Sequence, residues 1–190
     1  MQAQANTENC PLPIVDVTEC GELSIYVASL HDYNSGILHG RWIDCTQGAD
    51  HIHDRIAEIL ASSPAAAEYG EVAEEWAIHD FDFMGLSLGE SEDIDALAEL
   101  AEALEEHGEA LAVYLDHVGT RDISGFEDAY CGIYDSEGAY AGELADELMP
   151  HDAPDFLTRY FDYEAFCRDL FINDNFSVNV SGGMAIFRNI

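Results

Sequence analysis

Acidic side chains form the pattern in this chain that is best suited to chemistry. Between Glu58 and Asp116 the sequence holds 17 acidic residues and neither lysine nor arginine. Residues 92–106 predict one helix, and acids recur on it at steps of three and four: Glu92, Asp95, Glu99, Glu102 and Glu106. Like charges at this spacing cost a helix a few tenths of a kcal/mol per pair. We therefore expect this acidic stripe to bind a cationic surface rather than to assist folding.

Catalysis and metal binding have weaker support. Carboxylate pairs for acid–base chemistry are uninformative in a chain with 39 acids, and we predict that the protein is not an enzyme. His51 and His53 could ligate a metal from an extended segment, but residues two apart diverge on a helix, which favours surface histidines. The chain has no GxSxG, P-loop or GxGxxG motif, so we predict neither metal nor cofactor.

The overall charge excludes several classes of partner. Net charge is −33, with six arginines and no lysine, while a hydrophobic content of 48% indicates a folded protein. Such a chain should be repelled by nucleic acid and by anionic membranes and attracted to basic surfaces. Duplex DNA carries one charge per roughly 1.7 Å of axis, so 33 charges correspond to about 55 Å of duplex. This density favours an elongated molecule.

The cysteines and the hydropathy point to the cytoplasm. The five cysteines are odd in number, widely spread and without a CxxC pair, so we expect reduced thiols. The first residues are not typical of a secretory signal, and no apolar run approaches the length of a membrane span.

Periodicity places the acids on elements of an α+β fold. Strands are predicted over residues 23–28, 37–45 and 75–83, with a turn-rich loop at 31–36 and a helix at 49–61. In the acidic helix, Ser91 should cap the start, and one apolar stripe should be buried: Ile94, Leu97, Ala101 and Leu104.

The remaining elements follow the acidic helix. A helix is predicted over 110–118, a strand over 129–134, and helices over 139–148 and 156–171. A hairpin is predicted over 176–188. The aromatic residues of 156–171 predict a core stripe, with an excess that could serve a subunit interface. Arg41 and Trp42 could form a recognition pair, although a structural role in a strand is commoner.

We expect an elongated chain of three small units after a poorly ordered extension. The predicted parts are the extension at 1–22, an α/β unit with a three-stranded sheet at 23–86, an acidic helical unit at 87–125, and an α/β unit at 126–190.

Several segments together resemble the ArdA antirestriction proteins. The resemblance rests on residues 25–30, the run Tyr33-Asn34-Ser35-Gly36 followed by Gly40-Arg41-Trp42-Ile43-Asp44, and residues 74–80, 108–110 and 171–174. It spans about Leu23 to Arg188. Residues 1–22 have no recognised counterpart.

This resemblance implies a DNA mimic, encoded on mobile elements, that inhibits type I restriction-modification enzymes. It implies a homodimer formed through the C-terminal unit, with an antirestriction motif around residues 148–166. The dimer contacts expected from it are Phe156, Tyr160, Phe161 and Tyr163. The acids expected to stand in for phosphates, here called the thirteen acids, are Asp80, Asp82, Glu92, Asp95, Glu99, Glu102, Glu105, Glu106, Glu109, Asp116, Glu143, Asp146 and Glu147.

Other functions remain open on the residues alone. An ordinary protein adapted to high salt would also be acid-rich and lysine-poor. An acidic hydrolase would need a carboxyl group of raised pKa in a concave pocket. An acidic shield for basic proteins would bind such partners without selectivity.

Overall fold

The computed structural model describes residues 21–189, apart from the side chains of residues 155–157. Within this range, helices combine with two antiparallel three-stranded sheets, so the predicted α+β class is confirmed. The chain divides into two compact units, the first ending at Glu102 and the second starting at Ala103. The division into three units stays a prediction, and most of the predicted extension at 1–22 lies outside the described residues.

The first unit is built around strand β1 (Leu23–Ser29). It pairs antiparallel with β2 (Gly40–Asp44) on one side and with β3 (Trp76–Phe83) on the other. All seven residues of β1 are buried, as expected for a central strand rich in apolar side chains. The three predicted strands are therefore present, although β2 begins three residues later than its pattern suggested.

Helix α2 (Ala49–Ala61) has the bounds that the sequence predicts. Its apolar residues Ile52, Ile56 and Ile59 recur at helical spacing and are all buried. Burying each isoleucine contributes roughly 1.5–3 kcal/mol relative to leaving it exposed. The strong period of this face explains why the prediction succeeded.

Two short helices of the first unit escaped sequence analysis. Helix α1 (Leu30–Asn34) replaces the predicted loop, and helix α3 (Pro64–Tyr69) lies in a segment without a predicted element. Each begins at a serine, Ser29 or Ser63, whose hydroxyl accepts a hydrogen bond from an amide of the first turn. Such caps stabilise helices too short to show an apolar period.

The acidic helix α4 (Ile94–His107) starts two residues later than predicted. Asp93, not Ser91, caps it, because the Asp93 carboxylate accepts a 3.0 Å hydrogen bond from the Ala96 amide. The predicted stripe is buried together with two further residues: Ile94, Leu97, Ala98, Leu100, Ala101 and Leu104. After Gly108, helix α5 (Glu109–Val118) closely follows the prediction.

The second unit contains the other sheet. Its strands are β4 (Tyr130–Tyr134), β5 (Asn175–Val180) and β6 (Gly183–Arg188), in the order β4-β6-β5. The antiparallel register of β5 with β6 confirms the predicted terminal hairpin.

An aromatic cluster forms the core of this unit. Phe126 and Phe187 are fully buried, and Tyr114 contacts both rings at centroid distances of 5.6 and 5.3 Å. Edge and tilted geometries of this kind favour aromatic pairs beyond the area they bury. Phe126 starts the short helix α6 (Phe126–Ala129), which the sequence did not predict.

The single helix predicted for residues 156–171 is wrong. The segment follows helix α7 (Glu137–Leu148) and forms α8 (Asp155–Tyr160) and α9 (Tyr163–Asn173), with the two non-helical residues Phe161 and Asp162 between them. The Asp162 carboxylate caps α9 by accepting a 2.9 Å hydrogen bond from the Ala165 amide. No residue of α9 is fully buried, so the predicted core stripe is also wrong for this helix.

Candidate functional site

Helix α4 presents acids on the side away from its buried stripe. The carboxylates of Asp95, Glu99, Glu102, Glu105 and Glu106 are exposed. The helix has 14 residues and is about 21 Å long at 1.5 Å per residue. The structure thus places five of the thirteen acids along one solvated helix.

Glu92 differs from the rest of the acidic stripe because it lies before the helix and is half-buried. Its carboxylate accepts a hydrogen bond from the Gly89 amide. This contact fixes the loop that leads into α4. Glu92 therefore has a structural role that its spacing in the sequence did not reveal.

Asp80 and Asp82 are both exposed on the edge strand β3. They lie two residues apart, and their register partners on β1 are Tyr26 and Ser24. Side chains two apart in a strand point to the same face, separated by about 6.6–6.8 Å along the strand. The two carboxylates therefore form one local negative pair.

Two predicted acids lie on α5. Glu109 and Asp116 are exposed, and the Glu109 carboxylate accepts a 2.8 Å hydrogen bond from the Ser181 amide in the β5–β6 turn. This backbone hydrogen bond lowers the pKa of Glu109 below its ordinary value, so the carboxyl group stays charged in a wider pH range.

Helix α7 brings three predicted acids onto adjacent turns. Glu143, Asp146 and Glu147 are all exposed. Asp146 and Glu147 follow Glu143 by three and four residues, so the Cβ atom of each lies about 5–6 Å from that of Glu143. Asp146 also accepts a 2.8 Å hydrogen bond from the Tyr163 phenol. That hydrogen bond raises the pKa of Tyr163.

The ion pairs that the structure describes for arginines involve other acids. Arg41 and Arg55 both form ion pairs with Glu58, at 3.3 and 2.7 Å, and Arg168 pairs with Asp169. Among the ion pairs described between residues 21 and 189, none joins an arginine to one of the thirteen acids. Their charge is therefore left for a partner.

The structure exposes further acids that sequence reasoning did not select. They include Glu68, Glu71, Glu74, Glu75 and Glu90. Glu68 lies in α3, and Glu71 and Glu74 follow it, in a segment where no element was predicted. The Ser63-Pro64 pair, which is typical of a helix start, was the available signal.

A family model described as "Antirestriction protein (ArdA)" matches residues 25–184. The chain belongs to the ArdA family. No curated protein matches the chain. The matched range runs from β1 into β6 and includes all of the thirteen acids.

The candidate dimer contacts of this ArdA protein lie around α8 and α9. The side chain of Tyr160 is 81% exposed, and that of Tyr163 is 37% exposed. Phe161 contacts Tyr163 edge-on, with the ring centroids 4.8 Å apart. The side chain of Phe156 lies outside the described residues, so its predicted role stays a prediction.

Neither a grouping of metal-ligand side chains nor a membrane-spanning helix is present in the described part of this ArdA chain. Within residues 21–189, no three His, Cys, Asp or Glu side chains are grouped as metal binding would require. His51 and His53 lie in the first two turns of α2. Among the described helices, none is long and apolar enough to cross a membrane.

Proposed function

We propose that this antirestriction protein is a DNA mimic that occupies the DNA-binding groove of a type I restriction-modification enzyme. The observation that carries the proposal is that twelve of the thirteen acids are exposed. None of them is in a described ion pair with an arginine, and the chain belongs to the ArdA family. Exposed carboxylates without cationic partners repel one another and so do not stabilise the fold. Their most favourable electrostatic interaction is with a basic surface on another protein.

In this mechanism the carboxylates stand in for phosphates. Lysine and arginine side chains that normally contact the DNA backbone would form charge-assisted hydrogen bonds with Asp and Glu instead. The long-range field would accelerate association, and added salt would weaken it. Inhibition is therefore competitive occupation of a groove and involves no covalent step.

Charge density supports a role for several elements rather than for α4 alone. Over 21 Å a duplex carries about 12 charges, whereas α4 carries five exposed carboxylates. The pair on β3 and the three acids on α7 would supply further charge. A second copy of the chain would double the total.

We therefore include a homodimer in the proposal, with Tyr160, Phe161 and Tyr163 at its contact. Exposed aromatic residues support this assignment, since tyrosine and phenylalanine are enriched in interfaces. We place the protein in the cytoplasm, where restriction enzymes meet incoming DNA.

The test is displacement of a labelled duplex from a purified type I methyltransferase core at several salt concentrations. We expect displacement near stoichiometric ratios, with an affinity that falls as salt rises. Absence of displacement at low salt would overturn the proposal. A requirement for molar salt to fold would then favour salt adaptation, and equal binding to an unrelated basic protein would favour an acidic shield.

A further inference from the structure

The first unit contains a recess that the dispersed acids do not explain. Its volume is about 630 Å³, and it lies between α1, β3 and the loop that precedes α4. Its walls include the aromatic residues Tyr33, Trp76 and Phe81, with the polar side chains of Asn34, His79 and Glu90 among them. Phosphate mimicry by exposed carboxylates has no need of an aromatic recess.

A β-bulge shapes one wall of the recess. In the β1–β3 register, Val27 pairs with Ile78 and Tyr26 with Asp80, so His79 is the extra residue of β3. Bulges re-aim side chains and are common beside functional sites. Here the His79 ring meets the Tyr33 ring edge-on, with the centroids 4.8 Å apart.

Hydrogen bonds hold the opposite wall in place. The Ile78 amide donates a 2.9 Å hydrogen bond to the Glu90 carbonyl oxygen. The Gly89 amide donates to the Glu92 carboxylate. The first bond ties the loop to the edge of the sheet, and the second is formed within the loop. The exposed residue Glu90 is thereby kept in the lining of the recess, together with the aromatic residues.

The chemistry of the walls selects among possible ligands. Aromatic faces attract planar cations and nucleobases alike. A nucleotide would bring phosphate to a protein of net charge −33, which strongly disfavours it. A guanidinium group avoids this repulsion, stacks on an aromatic ring and offers donors in a fork that fits a carboxylate.

We propose that this recess binds one arginine side chain of the partner protein, with the guanidinium on the aromatic wall and hydrogen-bonded to Glu90. The proposal rests on the proposed function only for the identity of the protein that carries the arginine. It adds a position-specific contact to an otherwise dispersed electrostatic surface.

The chain offers a direct spectroscopic test, because it has two tryptophans. Trp76 lines the recess, whereas Trp42 packs edge-on against Tyr26, which is not among the recess residues. We would titrate the ¹⁵N-labelled full chain with N-acetyl-arginine amide and follow both indole N–H signals. N-acetyl-citrulline amide, which is neutral and of the same shape, is the matched ligand.

We expect a saturable shift at Trp76 with the arginine probe, little at Trp42, and no saturation with citrulline. Glu90→Gln should lower the affinity for the arginine probe about two- to fivefold, which is the range for one cation-dependent contact at an exposed site. Glu68→Gln makes the same charge change at an exposed position outside the recess and outside the thirteen acids, and it should leave the affinity for the probe unchanged. Tyr33→Leu should abolish the saturable shift at Trp76. If Tyr33→Leu fails to fold, Glu90→Gln is the decisive variant.

Some results would overturn the recess proposal. They are equal shifts at both tryptophans, equal binding of the citrulline and arginine probes, or equal weakening of arginine-probe binding by Glu90→Gln and Glu68→Gln. Duplex displacement without a selective Trp76 shift would reject the recess and retain the DNA mimic. A selective shift without displacement would retain the recess and reject the mimic.

Discussion

Asp32 and Ala65 lie 33 residues apart, yet the Ala65 amide donates a 2.9 Å hydrogen bond to the Asp32 carboxylate. Both residues are fully buried. The bond joins α1 to the first turn of α3, two helices that lack an apolar period of their own. In a chain whose other acids are mostly exposed, this carboxylate belongs to the core.

Replacing Asp32 by alanine should destabilise the first unit by about 1–3 kcal/mol, because a buried amide loses its acceptor. Asp32→Asn is the matched control, since it keeps a carbonyl oxygen and removes only the charge. We expect a smaller loss for asparagine, measured by urea unfolding. Unchanged stability of Asp32→Ala would contradict the role assigned to this bond.

The same carboxylate should give a defined pH dependence. Burial pushes the pKa of Asp32 upward, but hydrogen bonds from Ser29, the Ala65 amide and Ser63 outweigh burial and hold it below its ordinary value. Its stabilisation is therefore full above the unfolded pKa of about 4 and is lost as pH falls through the folded pKa.

The stability difference between the wild type and Asp32→Asn should thus stay constant above about pH 5 and shrink below about pH 4. Urea unfolding at several pH values measures it. Acidification also relieves repulsion among the exposed acids, but that effect is shared by both proteins and cancels. If the stability difference between the two proteins grew on acidification, the pKa of Asp32 would be raised on folding rather than lowered.

Long elements were predictable because their apolar periods are strong. The isoleucines of α2 and the apolar stripe of α4 identify the buried face of each helix from the local pattern, although α4 starts two residues later than predicted. Short capped helices such as α1 and α3 were missed, since five or six residues cannot show a period.

The candidate site was predictable in composition but not in detail. The density of acids indicated an exposed charged surface. The neighbouring sequence does not, however, distinguish the buried Asp32, or Glu92 with its hydrogen bond from a loop amide, from fully solvated acids. The break at Phe161 and Asp162 was missed because an aromatic-rich run resembles a helix face. Tertiary contacts decide these cases.

Gly40 should not tolerate a side chain. A Cβ at this position would collide with the Val27 carbonyl oxygen of the central strand, so Gly40→Ala should cost about 1–3 kcal/mol. Gly142→Ala on α7 is the control, because a Cβ there meets no heavy atom within 4 Å. It should stabilise the helix by about 0.5–1 kcal/mol.

Thermal unfolding of both variants measures the contrast. We expect a lower melting temperature for Gly40→Ala and an equal or higher one for Gly142→Ala. Equal melting temperatures for the two variants would show that β2 can move away from β1 without cost.

Inhibition should respond to the number of charges on α4 rather than to any one of them. Glu99→Gln alone should leave duplex displacement almost intact. Combined neutralisation of Asp95, Glu99, Glu102 and Glu106 should weaken displacement at low salt and flatten its salt dependence, because fewer charged contacts form. Circular dichroism should show an intact helix, since removing like charges relieves repulsion.

These displacement curves also discriminate between mechanisms. Loss of inhibition by Glu99→Gln alone would replace the dispersed surface with a single hot spot. If the variant with all four acids neutralised kept full activity, the acids that contact the enzyme would instead be those on β3 or α7.

Dimerisation should depend on the aromatic surface near α8. Tyr160 is 81% exposed in one chain, and Tyr160→Asp would place a charge in the proposed contact, where desolvation opposes it. We expect this variant to shift towards monomer. Tyr69→Asp is the matched control, because Tyr69 is 64% exposed at the end of α3 in the first unit, and it should leave the oligomeric state unchanged.

Light scattering at several protein concentrations measures the mass of each variant. A dimeric Tyr160→Asp protein, or a wild type that stays monomeric at every concentration, would reject the contact. Because both substitutions change one exposed tyrosine to aspartate, a general effect of added charge would alter the two variants equally. A selective shift therefore locates the interface at α8.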